Sequence, residues 1–123
     1  MLDTFKRGDY MFWSVCSQAG SKATIVLKDD SKVYFTVNKS TADWHLLKLA
    51  QDSADYTGGR NLRIEIEVYD HPDLDIKGSI NAYNITTDKG STVGYGYNIC
   101  IEDYKDEDFN DYFISIVAWN KKG

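Results

Sequence analysis

Leu62-Arg63-Ile64-Glu65-Ile66-Glu67-Val68-Tyr69 is the stretch that decides the fold class. Leu62, Ile64, Ile66 and Val68 alternate with Arg63, Glu65, Glu67 and Tyr69. In an extended chain successive side chains point to opposite faces, so this period of two gathers the aliphatic groups on one side and the charges on the other. A helix would scatter the same residues around its surface. A strand with one apolar and one charged face belongs to an antiparallel sheet with one side in water.

The same pattern extends outward in both directions. Tyr56-Thr57-Gly58-Gly59 is a strong break before this strand, and Asp70 to Lys77, which holds the only proline, reads as a loop after it. Tyr10 to Cys16 is aromatic and apolar, and Ser17-Gln18-Ala19-Gly20-Ser21 is a turn. Ala23, Ile25 and Leu27 share a face. After the turn at Asp29-Asp30-Ser31, so do Val33, Phe35 and Val37, which makes a hairpin. Ser40 to Gln51 fits either a short helix capped by Ser40 or Thr41 or an irregular strand; the β character of its surroundings favours strand or coil. Gly78 to Thr86 forms another strand, followed by the turn Asp88-Lys89-Gly90-Ser91. Tyr95, Tyr97, Ile99 and Ile101 lead into an acidic segment. Tyr112 to Trp119 is apolar on both faces and is expected at the centre of its sheet. Short, evenly spaced strands of this kind predict an all-β, antiparallel β-sandwich, Greek-key or jelly-roll-like, of about nine strands. The 123 residues are expected to form a single domain, 1–123.

Composition narrows the function classes. A net charge of -5 without a basic stripe argues against nucleic acid. No apolar run approaches the roughly 20 residues of a membrane-spanning helix, so no membrane insertion is expected. The first residues lack the apolar centre of a secretory signal, so either the chain is made in the cytoplasm, with release to the cell surface or outside still open, or its signal has been removed. Cys16 and Cys100 have no metal-ligand spacing and read as two buried thiols, with a disulfide as the alternative. His45 and His71 have no ligand partner at useful spacing. Asn38-Lys39-Ser40 and Asn84-Ile85-Thr86 match glycosylation sequons, a pattern that chance produces often.

The acidic segment carries the functional signal. Glu102 to Asp111 holds six carboxylates and one lysine. Such crowding is unfavourable unless a counterion neutralises it, and strands entering and leaving deny the loop the freedom of a solvated tail. Asp106, Asp108 and Asn110 recur at every second residue with Asp111 adjoining, a spacing that lets a coiled loop offer oxygen ligands to one cation. An EF-hand is excluded, because Asp111 and Val117 stand where its glycine and its bidentate glutamate belong. Hard oxygen donors without nearby histidine or cysteine select calcium over zinc or copper, and the surplus of carboxylates leaves room for a second ion. The plain alternative is a charged surface turn.

Glu102-Asp103, Asp106 and Asp108-Phe109-Asn110-Asp111, followed by an apolar strand to Trp119 and a terminal Gly123, resemble the C-terminal signature of the calcium-dependent fucose- and mannose-binding bacterial lectins, the LecB family. The resemblance implies two adjacent calcium ions held by Glu102, Asp106, Asp108, Asn110 and Asp111, with the Ser17 carbonyl as a further ligand. It implies that Asp103 accepts a hydrogen bond from a sugar hydroxyl and that Gln18, Ala19 and Gly20 occupy the specificity loop. It further implies that the Gly123 carboxylate completes a neighbouring subunit's site, and that sugar hydroxyls coordinate the calcium directly in a dimer or tetramer. A second reading from another class is a calcium-stapled adhesion or structural module with a protein partner. No catalytic residues are expected, since a calcium-bound carboxylate stays ionised and makes a poor general acid.

Overall fold

The computed structural model describes residues 2–18, 23–39, 47–68, 77–102 and 112–120. Within them the chain forms eight strands and no helix: β1 (Tyr10–Ser17), β2 (Ala23–Lys28), β3 (Val33–Lys39), β4 (Leu47–Asp55), β5 (Arg63–Val68), β6 (Lys77–Thr86), β7 (Thr92–Glu102) and β8 (Tyr112–Trp119). They form a five-stranded sheet ordered β4-β1-β8-β7-β6 and a three-stranded sheet ordered β3-β2-β5. Every pairing is antiparallel. The deciding strand is β5, with Ile64 and Ile66 half-buried and Glu65 and Glu67 exposed, as its alternation requires. The ambiguous region resolves as strand from Leu47 onward, while residues 40–46 lie outside the described residues.

One apolar cluster joins the two sheets. Met11, Trp13 and Val15 of β1, Ile114, Ile116 and Ala118 of β8, and Tyr97, Ile99 and Ile101 of β7 are buried with Ala23, Ile25 and Leu27 of β2. The Trp13 ring lies 5.0 Å from that of Phe35 on β3, a contact between the sheets. β8 sits between β1 and β7, the central position its apolar sequence predicts. Its two faces differ, however. The side bearing Ile114 and Ile116 is fully buried, whereas Phe113 and Trp119 on the other side are 40% and 43% exposed.

The hairpin β2–β3 departs from the expected alternation at one point. Ile25 pairs with Val37 and Leu27 with Phe35, but a bulge follows and Lys28 then pairs with Val33. The extra residue turns Val33 to the outer face, where it is 51% exposed.

The end of the molecule carrying the β2–β3 turn is held by a polar knot around Asp29. This carboxylate is 2% exposed and accepts hydrogen bonds from the Ser31 and Lys32 N–H groups at 2.7 and 2.8 Å and from the Tyr34 hydroxyl at 2.7 Å. Thr57 N–H donates to the same Tyr34 hydroxyl, and Tyr56 donates to the Gly59 carbonyl. Gly59 is required here because a Cβ would stand 2.2 Å from the Asp29 carboxyl carbon. Desolvation pushes the Asp29 pKa up, but the Tyr34 hydroxyl and the two N–H groups outweigh it and hold the carboxyl below its usual range. A carboxyl depressed in the folded state stabilises at pH above its unfolded value of about 3.9, and that contribution disappears as pH falls through the lower folded value. Asp29→Ala leaves three partly buried donors without their charged acceptor and is expected to cost about 2–4 kcal/mol near neutral pH. The difference from wild type should shrink in acid, as urea unfolding at a series of pH values would show. Equal losses at pH 7 and pH 3 would refute the electrostatic account.

Cys16 and Cys100 are both free. Each pairs with Phe113, from opposite sides of β8, which puts them two strand spacings apart. That separation, roughly 9–10 Å, exceeds the reach of about 7 Å between the Cα atoms of a disulfide. Thiol titration of the denatured, unreduced monomer is therefore expected to count both cysteines, and reductant should leave Tm unchanged.

Candidate functional site

Strand direction brings the sequence-predicted elements to one end of the five-stranded sheet. Ser17, the last residue of β1, pairs with Tyr112, the first of β8, and Tyr112 pairs with Ile101 near the end of β7. Glu102 closes β7 opposite Lys77, and Leu47 opens β4 opposite Ser17. The acidic run that joins β7 to β8 thus leaves from and returns to the strand ends beside Ser17. In the smaller sheet Ala23 pairs with both Lys39 and Val68, so β2 begins where β3 and β5 end. The links that follow β1, β3, β5 and β7 consequently depart from corresponding strand ends, whereas the Asp29 knot lies at the far end of β2.

The inner row at this end is closed and largely apolar. Tyr112 is 0% exposed, Ser17 1% and Ile101 4%. It makes a rigid floor because each strand in it is paired on both sides: β1 by β4 and β8, β8 by β1 and β7, and β7 by β8 and β6. Gln18 follows β1 directly and is exposed.

Of the residues singled out from the sequence, Ser17, Gln18 and the backbone of Glu102 are brought to this end. Ala19, Gly20, Asp103, Asp106, Asp108, Asn110, Asp111 and Gly123 lie outside the described residues, as do His45 and His71. Among the described residues there is no group of three or more His, Cys, Asp or Glu side chains placed to hold a metal ion. The described carboxylates held below their usual range at the far end are engaged elsewhere. Asp29 belongs to its knot, and Asp30 accepts from the Asn61 side chain and the Arg63 guanidinium, in that order of influence.

Sequence reasoning missed Tyr112 as part of this end. It reads as one more apolar strand residue, and only its pairing with both Ser17 and Ile101 shows that it is the buried centre of the row at this end.

No protein-family model matches the chain, and no curated protein matches it. Solved structures do. The C-terminal domain of the lectin BC2L-C from Burkholderia cenocepacia superposes with a TM-score of 0.67 at 20% identity, over 97% of this chain and 93% of that one. A high-affinity mannose-binding lectin of Ralstonia solanacearum gives 0.66 at 18% identity over 98% and 95%. The Chromobacterium violaceum lectin CV2L, solved in complex with alpha-methyl-fucoside, gives 0.66 at 14% identity over 98% and 95%. All three are bacterial lectins, and this chain shares their fold across nearly its whole length.

Proposed function

We propose that this chain is a calcium-dependent, non-enzymatic lectin on an antiparallel β-sandwich, with a sugar of the fucose or mannose type as its ligand. One observation carries the reading. The acidic run Glu102–Asp111 joins two paired strands at the end where β1 stops at Ser17, in a fold shared with lectins. In this reading Glu102, Asp106, Asp108, Asn110, Asp111 and the Ser17 carbonyl hold two calcium ions, and the Gly123 carboxylate serves a neighbouring subunit. Calcium supplies coordination positions that sugar hydroxyls fill in place of water. Asp103 accepts a hydrogen bond from a hydroxyl and so orients the ring. Gln18, Ala19 and Gly20 border the ring and select among sugars. The paired strands β1, β8 and β7 fix Ser17, Tyr112 and the Glu102 backbone, the points from which these segments depart. Single sites of modest affinity are multiplied by assembly into a dimer or tetramer.

A glycan array probed with calcium and again with chelator tests the reading. Binding to fucosides or mannosides that disappears with chelator is expected. Calcium-dependent melting without any glycan signal would instead identify a calcium-stapled module with a protein partner.

A further inference from the structure

The outer face of the five-stranded sheet is more aromatic than a merely solvated face needs to be. Tyr10, Phe12, Tyr83 and Trp119 are between 37% and 49% exposed, and strand pairing sets them in two adjoining rows. Tyr10 stands opposite Trp119, and Trp119 opposite Gly94. Two residues further along, Phe12 stands opposite Val117, Val117 opposite Gly96, and Gly96 opposite Tyr83. Gly96 decides how this second row lies, because a Cβ there would stand 2.2 Å from the Tyr83 ring. The ring therefore lies over β7 instead of standing out from the sheet, and Gly94 adds no side chain beside Trp119. The next row is polar: Ser14, Ser115, Asn98 and Asn81 face outward in register, about 7 Å along the strands from the aromatic row. From the row of Trp119 to the row of Phe113, no outward residue of β1, β8, β7 or β6 is charged, in a chain of which 27% is.

We propose that this face is a second carbohydrate site, which takes a neutral, flat polysaccharide, a cellulose-like chain of β-linked glucose units, without calcium. It goes beyond the function proposed above, on a different surface and with a different sugar. The chemistry of the rows selects the ligand. A pyranose with equatorial hydroxyls has an apolar C–H face and a polar rim. Its C–H groups, slightly positive, meet the negative face of an aromatic ring. Its rim needs donors and acceptors together, and the amides and hydroxyls beside the rings supply both. A lipid surface or an apolar protein face would strip water from Asn81, Asn98 and Ser115 without replacing their hydrogen bonds. A charged ligand would find no countercharge. The platform spans β1 to β6, three strand spacings or about 14 Å, which gives a chain room for more than one ring. Pairing on both sides of β1, β8 and β7 keeps its floor rigid, so binding orders little of it.

Affinity electrophoresis of the whole chain through gels containing hydroxyethylcellulose, with EDTA present, tests the site. Wild type is expected to be retarded under these conditions. Tyr83→Ala and Trp119→Ala are each expected to weaken binding by about 10-fold, and Tyr83→Phe, which keeps the ring, by less than about 2-fold. Far-UV circular dichroism checks that the variants fold. Wild type that runs unretarded would overturn the proposal. So would retardation that appears only without EDTA, since it assigns the polysaccharide to a calcium-dependent site. Retardation that neither alanine variant weakens would place binding elsewhere and overturn the platform. Sedimentation equilibrium covers the remaining occupant: a dimer that Trp119→Ala dissociates, with wild type unretarded, would give the face to a second copy instead. The fucose or mannose signal is read with calcium and this one without it, so either reading can fail alone.

Discussion

Asp106→Ala and Asp108→Ala are each expected to weaken binding of a fucose or mannose glycoside by at least about 100-fold. Even outer partners of metal ligands typically cost 10–100-fold in affinity, and these two side chains would be ligands themselves. The acidic run holds six carboxylates against one lysine, so the unneutralised loop repels itself. Binding should therefore be lost together with calcium uptake, and isothermal calorimetry can follow both. Stability should respond as well. Calcium at about 1,000 times its Kd stabilises the folded state by about 4 kcal/mol, which for a chain of this size raises Tm by on the order of 10 °C. Chelator should reverse that shift in wild type and have a much smaller effect in Asp108→Ala. Wild-type protein that takes up no calcium at neutral pH would remove the basis of the lectin reading, whatever its fold.

Trp13→Ala should produce the largest loss of stability, about 3–5 kcal/mol by urea unfolding. The indole is 3% exposed and lies mid-strand in β1, opposite Ile116 of β8 and beside the Phe35 ring of the other sheet. Truncation opens a cavity where the two sheets share their core, and neither sheet can close it without breaking its pairing. Trp119→Ala makes the control: that ring is 43% exposed at the end of β8, and its loss should cost less than about 1 kcal/mol. Comparable losses at the two positions would show that the sheets are not joined through Trp13.

Much of the architecture was legible because a half-buried strand writes its environment into alternate residues. Ala23, Ile25 and Leu27 share a buried face as their spacing predicts, and Glu65 and Glu67 face water as theirs does. Reading failed where geometry broke the period. The spacing puts Val33 on one face with Phe35 and Val37, but the register break at Leu27/Lys28 turns it outward; nothing in the local residues marks an extra residue in a ladder. Leu62 reads as part of the strand, yet it precedes β5 and is buried, its carbonyl accepting from the Leu2 N–H. The sequence around Asp29 shows only a turn, because Thr57 and Gly59, which close the knot around Tyr34 and Asp29, come from a distant segment of the chain.

By itself the sequence determined the fold class and the residue types of the proposed site. Period-two patterning and the oxygen-rich spacing from Glu102 to Asp111 are local properties, complete before any strand finds its partner. Only the tertiary structure decided which strand ends come together. Setting Ser17, Tyr112 and Ile101 in one row, separating the two cysteines across β8, and leaving β6 as an outer strand of its sheet all depend on strand order. That order follows from how the whole apolar set is buried at once, a choice no single segment encodes.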